Sequence, residues 1–500
     1  MSPQTIVHHI DVVSVVAAAV STYITWQVFR TLTVQRIGAL PFQPCNGRSA
    51  VKDWILGHLA EILEKGEADA VNGPYRRWVG EGKPAVALRF LYFPRILTAD
   101  AADIDYILNS NVGNYGKGRP YVVMQRLLGK GLITLIDDQE HAMHRREVSP
   151  AFSPAALKHI SNACVPLHAQ TLIATLDSCA ARGEKVLVEP LMVRVVLCVL
   201  AQAAFRTSGE VSTDIVAKNL DKGVENGWSL LRLSSLIDSL LFFKNARVRE
   251  VRADMKRLVE AVRSEKTGEA PTTEENGNAL VDFLLNSKKL DLEYITDHSI
   301  TFLFAGYDTT SNTLIWLAYL LAKHPAAQEK LYEELSATVA KDAACAVDDL
   351  KGCKYLYACI KETMRLLGPA TFLARQCRTD DVLPGSKAFI PAGMEIIMPL
   401  SITHRNKKVW GEDADEFVPE RWEEEDFEAK VETSYLPFSA GRRNCIGKDF
   451  AMNEMAMLAA AIYRNFRLEW PVGEPEPETE AMPTLRPKAP FNVLVHKRNS

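Results

Sequence analysis

A chain of 500 residues, 47% apolar and 24% charged, has the ordinary balance of a globular protein and material for a large core. Its net charge of −4 gives no electrostatic footprint for a polyanion, so no nucleic acid is expected as a partner. Nine dispersed cysteines, with no CxxC pair and no Cys/His cluster at zinc spacing, exclude a structural zinc site and fit a reducing compartment.

In chain order, the first feature is residues 12–29, which contain no charged side chain. About 18–20 apolar residues just span a bilayer core. No Lys or Arg precedes the run, and Arg30 and Arg36 follow it. That asymmetry predicts an N-terminal transmembrane anchor over residues 1–31, with the rest of the chain in the cytosol. A cleaved signal peptide would carry a basic n-region and a small-residue cleavage site, and neither stands out. A buried soluble helix is the competing reading, because Ser14, Ser21, Thr22, Thr25 and Gln27 weaken the run. Pro41, Pro44 and Gly47 then mark a hinge over residues 32–48.

Residues 49–500 read as one domain, mainly α with a minor β region. Helical periodicity dominates residues 50–361. The longest candidate helix covers 292–324, near 50 Å at ~1.5 Å per residue, and Pro325 ends it or opens the next. The run 230–243 is apolar enough to rest on a bilayer and equally suited to a core. Over 373–399, short apolar runs broken at Pro384-Gly385 and Pro391-Ala392-Gly393 predict a small sheet, and the texture returns at 491–496.

Three segments carry chemistry. Residues 438–447 read Phe-Ser-Ala-Gly-Arg-Arg-Asn-Cys-Ile-Gly, and a helical pattern follows. Cys445 is thereby set near a helix amino terminus, where partial positive charge and backbone N–H groups favour a thiolate. Alone, a Cys after a turn is more often a buried structural thiol. Glu362-Thr-Met-Arg365 puts opposite charges on one helix face, alone an ordinary ion pair. Residues 305–310, Ala-Gly-Tyr-Asp-Thr-Thr, place Gly306 and hydroxyl residues inside the longest helix, where such a sequence lets a turn widen into a groove.

Together these segments resemble the cytochrome P450 family. The first resembles its Phe-x-x-Gly-x-Arg-x-Cys-x-Gly haem loop, with Ser439 where many relatives have Gly. The resemblance implies the P450 fold and Cys445 as axial ligand of a haem iron. Phe438 and Gly447 belong to the same loop, and Arg443 would meet a haem propionate. Glu362, Arg365 and Arg421, the last within Phe417-Val-Pro-Glu-Arg421-Trp422, would form the buried charged cluster that props up the loop. Arg375, ten residues after Arg365, matches a propionate-binding Arg; a solvated Arg at a strand start is the alternative. His141-Ala-Met-His-Arg145 resembles the family's Trp-x-x-x-Arg pair on the propionates, with His141 keeping an N–H donor in place of Trp. Residues 305–310 resemble the oxygen-activation motif, which gives Thr309 a hydrogen bond to bound dioxygen and Asp308 a share in proton relay.

The implied reaction inserts one atom of O2 into a C–H or C=C bond and releases the other as water. No flavin or nicotinamide fingerprint is evident. NADPH is therefore expected to act through a separate NADPH–cytochrome P450 reductase at the endoplasmic reticulum membrane. The resemblance nominates pocket walls at 121–128, Thr301, Ala305, Thr371, Phe372, Leu373 and Pro483, mostly apolar and suited to a lipophilic small molecule such as a terpenoid, polyketide, fatty acid or sterol. A reductase-independent isomerase or dehydratase is the alternative, and Thr309 argues against it because such relatives often lose that Thr. In a fatty-acid hydroxylase branch a Glu before Gly-x-Asp-Thr-Thr esterifies the haem. Ala305 stands there instead, so haem b is expected to be held non-covalently.

Overall fold

The structure is a computed structural model and describes Ser21 and residues 85–90, 93–205, 249–250, 252–257, 259–260, 263, 279–287, 289–339, 345–481 and 484–498. Apart from Ser21, the expected anchor (1–31) and hinge (32–48) lie outside the described residues, as do the run 230–243 and Pro483.

The principal helices are α1 (Arg119–Leu128), α2 (Asp138–Val148), α3 (Pro154–Arg182), α4 (Val188–Phe205), α5 (Leu292–Lys323), α6 (Pro325–Thr338), α7 (Lys354–Leu367) and α8 (Lys448–Asn465). The long helix α5 starts where Asp291 caps it, its carboxylate accepting the Tyr294 N–H at 2.9 Å. Pro325, with no N–H to give, opens α6. Along α5 almost every residue from Ile295 to Ala322 is buried, because α4, α7 and α8 pack around it. Met192, Val195, Val196, Val199, Leu200 and Ala203 of α4 join Leu303, Phe304 and Tyr307 of α5 in one core. Among the described residues α4 is the one helix long and apolar enough to cross a membrane. Its burial in this core accounts for that composition.

The strands are β1 (Ala85–Phe90), β2 (Phe93–Thr98), β3 (Tyr115–Gly116), β4 (Lys185–Leu187), β5 (Phe372–Cys377), β6 (Glu395–Pro399), β7 (Phe466–Glu469), β8 (Thr479–Ala481), β9 (Leu485–Pro487) and β10 (Asn492–Lys497). One sheet runs β1-β2-β6-β5-β3, another β4-β10-β7, and β8-β9 is a hairpin. Strands β2 and β6 are parallel, with Arg95 opposite Glu395 and their side chains ion-paired at 2.7 Å. The sheets expected around 373–399 and 491–496 are present. Helices dominate 50–361 among the described residues, but strands β1, β2, β3 and β4 interrupt them. Strand β1 pairs with β2, β2 with β6, β3 with β5 and β4 with β10, partners that local periodicity does not register.

Candidate active site

The loop before α8 is built by backbone hydrogen bonds. Cys445 N–H donates to the Phe438 carbonyl at 2.9 Å, and Asn444 N–H to that of Gly441 at 3.0 Å. Gly441 has φ +69°, and a Cβ there would lie 2.1 Å from the Leu108 carbonyl oxygen, so only glycine fits. Ser439 also takes a left-handed φ, +58°, and its buried hydroxyl has no partner among the described residues. The position where relatives have Gly is therefore strained here.

The Cys445 thiol is open to solvent yet enclosed by protein on most sides. Burial pushes it above the ordinary thiol range, while the Gly447 N–H and Arg145 act in the opposite sense. Arg145 of α2 grips the residue before the thiol, donating to Asn444 O at 2.8 Å and Asn444 Oδ1 at 2.6 Å.

A group of bases surrounds this loop. Arg443 donates to Asp138 Oδ1 at 2.7 Å and to the Leu135 carbonyl at 2.6 Å. Arg375 is buried and donates to the Ala374 carbonyl at 2.9 Å. Burial first, then Arg375 and Arg443, hold Lys117 well below the usual lysine range. His141, also buried, falls to about 3, through burial and then Arg443, Arg145 and Lys117. Asp138 acts on both His141 and Arg443 and is also shared with Arg378 and Arg442.

The expected charged cluster forms behind the loop. Glu362, with no exposed surface, accepts five N–H groups at 2.8–3.0 Å: Arg365 Nε and Nη2, Arg421 Nε, Trp422 Nε1 and the Val418 amide. Arg365 also caps the carbonyls of His404 and Ala414, and His404 Nε2 accepts the Leu436 N–H at 2.9 Å. The cluster thus ties α7 to the chain just ahead of the thiol loop.

A family model described as Cytochrome P450 matches residues 93–495. The chain belongs to the cytochrome P450 family. It is 30% identical to cytochrome P450 3A29 of Sus scrofa over 67% of this chain and 69% of that one. It is 27% identical to cytochrome P450 monooxygenase 205 of Postia placenta over 87% and 88%, and 28% identical to cytochrome P450 94A2 of Vicia sativa over 81% and 82%. The protein is thus a P450 monooxygenase.

The central motif of this P450 departs from the expected widened turn. Helical structure is unbroken through Ala305–Thr310, and the Thr309 hydroxyl donates to its own Ala305 carbonyl at 2.7 Å. Ser311 and Thr313 bond back to Tyr307 and Thr309 in the same way, so the hydroxyls that invited opening close the helix instead. Asp308 is buried, and its Oδ2 accepts the Thr484 hydroxyl at 2.8 Å. Asn312 Nδ2 bonds Thr484 Oγ1 at 3.0 Å.

The expected pocket residues scatter more than the thiol loop does. Thr301 and Ala305 share a face of α5, with Thr301 turned to Gly131. Thr371 is buried beside Ser401, while Phe372 and Leu373, neighbours on β5, pack into different clusters. Sequence reasoning missed Lys117, Asp138 and His404, and the bond between Thr484 and Asp308. Trp422 stood inside a quoted motif without a role. Asp138, at the start of α2, was legible only as a helix-start acid.

Proposed function

We propose that this P450 is a membrane-anchored haem-thiolate monooxygenase with a single anchor in the endoplasmic reticulum membrane and residues 49–500 as its catalytic domain in the cytosol. Cys445 would ligate the iron of a non-covalently held haem b. The observation that carries this reading is the pairing of an accessible thiol, backed by the Gly447 N–H, with a group of bases, Lys117, His141, Arg145, Arg375 and Arg443, several of which repel one another. Such a donor set fits a dianionic iron porphyrin, whose propionates supply the missing counter-charge.

Bound haem supplies the redox chemistry of dioxygen, with electrons from NADPH by way of a separate NADPH–cytochrome P450 reductase. The chain's own residues hold, orient and move protons. Arg375 and Lys117 bind the propionates directly, His141 stays a neutral donor because burial keeps it unprotonated, and Arg145 holds the thiol loop through Asn444. Arg443 shares its charge with Asp138. Thr309 Oγ1 is a proton donor poised on the Ala305 carbonyl. Asp308 Oδ2 accepts the Thr484 hydroxyl. Thr301 and Ala305, on one face of α5, would line the site of a lipophilic small molecule that is hydroxylated or epoxidised.

Cys445→Ser tests the reading. The variant should lose the red-shifted ferrous–CO Soret band of thiolate ligation. A native band in that variant would overturn the ligand assignment.

A further inference from the structure

Two fully buried histidines join α2 to α5. His144 Nδ1 and His298 Nε2 lie 2.9 Å apart, and neither residue has exposed surface. Their other ring nitrogens, His144 Nε2 and His298 Nδ1, have no hydrogen-bond partner among the described residues. The charged groups felt by His144 are Glu140, Asp291, Lys130 and Asp297, and His298 feels His144 and His141. Burial is the leading cause that holds both rings below the ordinary imidazole range, His298 at about 3. Both are therefore neutral.

Two neutral imidazoles that share one hydrogen bond leave one outer nitrogen protonated and the other with a lone pair. A proton arriving at a bare His144 Nε2 lets the His144 Nδ1 proton cross to His298 Nε2, and the His298 Nδ1 proton leaves. Two N–H bonds form, two break, and no charge stays behind.

The pair has an outer and an inner side. Outside, His144 packs edge-on against Tyr294 with ring centroids 4.4 Å apart. The Tyr294 hydroxyl donates to the half-buried Glu140 at 2.6 Å. Inside, His298, Thr301, Ala305 and Thr309 fall at i, i+3, i+7 and i+11, one stripe of α5 about 16 Å long at ~1.5 Å per residue. Thr301 Oγ1 is buried without a partner, whereas Thr296 and Ser299 bond back to their own helix. Orphaned polar atoms of His298 and Thr301, one turn apart, mark a place for bridging water. Beyond Thr301 the stripe carries the small Ala305 methyl group before Thr309, whose hydroxyl bonds the Ala305 carbonyl.

We propose that the His144–His298 pair is a proton-transfer site that feeds Thr309 from the α2 side along this stripe, separately from the Asp308–Thr484 group. The inference rests on the proton-donor reading of Thr309, and the test separates the two. The haem-loaded protein is turned over with NADPH–cytochrome P450 reductase and no organic substrate. When protons fail to arrive, O2, one NADPH and one proton give H2O2. When they arrive, O2, two NADPH and two protons give two waters. His298→Gln and His144→Gln keep hydrogen-bonding groups but cannot pass a proton through. Each should raise peroxide per NADPH about twofold or more and raise the solvent deuterium isotope effect, with haem content and melting temperature unchanged. A merely structural pair would leave the isotope effect alone. Native peroxide yields in both glutamine variants, beside a raised yield in Thr309→Ala, would overturn the inference alone. A native yield in Thr309→Ala would overturn the Thr309 reading and the inference with it. Should His298→Gln lose haem, His144→Gln, on the other helix, decides the outcome.

Discussion

Glu362→Gln is the sharpest test of what supports the thiol loop. The carboxylate accepts five N–H groups, four from Arg365, Arg421 and Trp422 and one from the backbone, in a site with no solvent. The amide keeps the shape but turns one acceptor oxygen into a donor, which then faces the two N–H groups on Oε2 or the three on Oε1. It also leaves two guanidinium groups without their shared buried anion. Removing one partner of a buried ion pair costs about 3–5 kcal/mol. Domain stability is only about 5–15 kcal/mol, so about a fifth or more of it should disappear. Urea unfolding followed by far-UV circular dichroism measures this as a lowered midpoint. Glu362→Asp keeps the charge but not the reach to all five donors, and should fall between. A loss under about 1 kcal/mol in Glu362→Gln would refute the view that this carboxylate neutralises both arginines.

Other outcomes follow from the same geometry. Burial, then Arg365 and Arg405, depress His404 to about 3. Its contribution is fully present above the unfolded value near ~6.5, and shrinks by about 1.4 kcal/mol per pH unit as pH falls from there toward the folded value. His404→Gln keeps an acceptor for Leu436 N–H and should make acid denaturation shallower by that slope; an unchanged slope between pH 6 and 4 contradicts it. Ser439→Gly relieves a left-handed backbone and an orphaned hydroxyl, and should stabilise by about 1 kcal/mol, while Gly441→Ala should destabilise by at least as much. Thermal melts of the two variants in the same direction would contradict this. Acid–organic extraction should release all haem, since Ala305 has no carboxylate to esterify it; haem left on the polypeptide in denaturing mass spectrometry would contradict this.

The parts of the site legible in the sequence are those where chemistry fixes residue type at short spacing. The Cys445 loop and Glu362 with Arg365 are examples, because an anchored thiol and an i,i+3 ion pair are local facts. Lys117, between two glycines, looks like a solvated surface base until the fold brings Arg375 and Arg443 beside it. The bond of Thr484 to Asp308 depends on a hairpin that reaches α5 from the far end of the chain. The widened turn in α5 was the reverse case. Gly306 and its hydroxyl neighbours permit opening, yet the Ala305 carbonyl is the nearest acceptor for Thr309 and the helix stays closed. Strands β1 and β2 stayed hidden for a related reason, since their pleat is stabilised by residues that periodicity cannot see.

That pairing also sets a timetable for synthesis. Arg95 lies opposite Glu395, so the β2–β6 ladder joins segments three hundred residues apart. A ribosome adding about 5–20 residues per second needs roughly 15–60 s between the two. Through that interval the β1–β2 hairpin leaves the tunnel with a bare edge, and an isolated two-stranded hairpin is only marginally stable in water. The nascent chain therefore presents a sticky template to its neighbours on the polysome until its own β6 emerges, and a chaperone that shields residues 85–98 would raise the yield of soluble enzyme more than one acting on the finished protein.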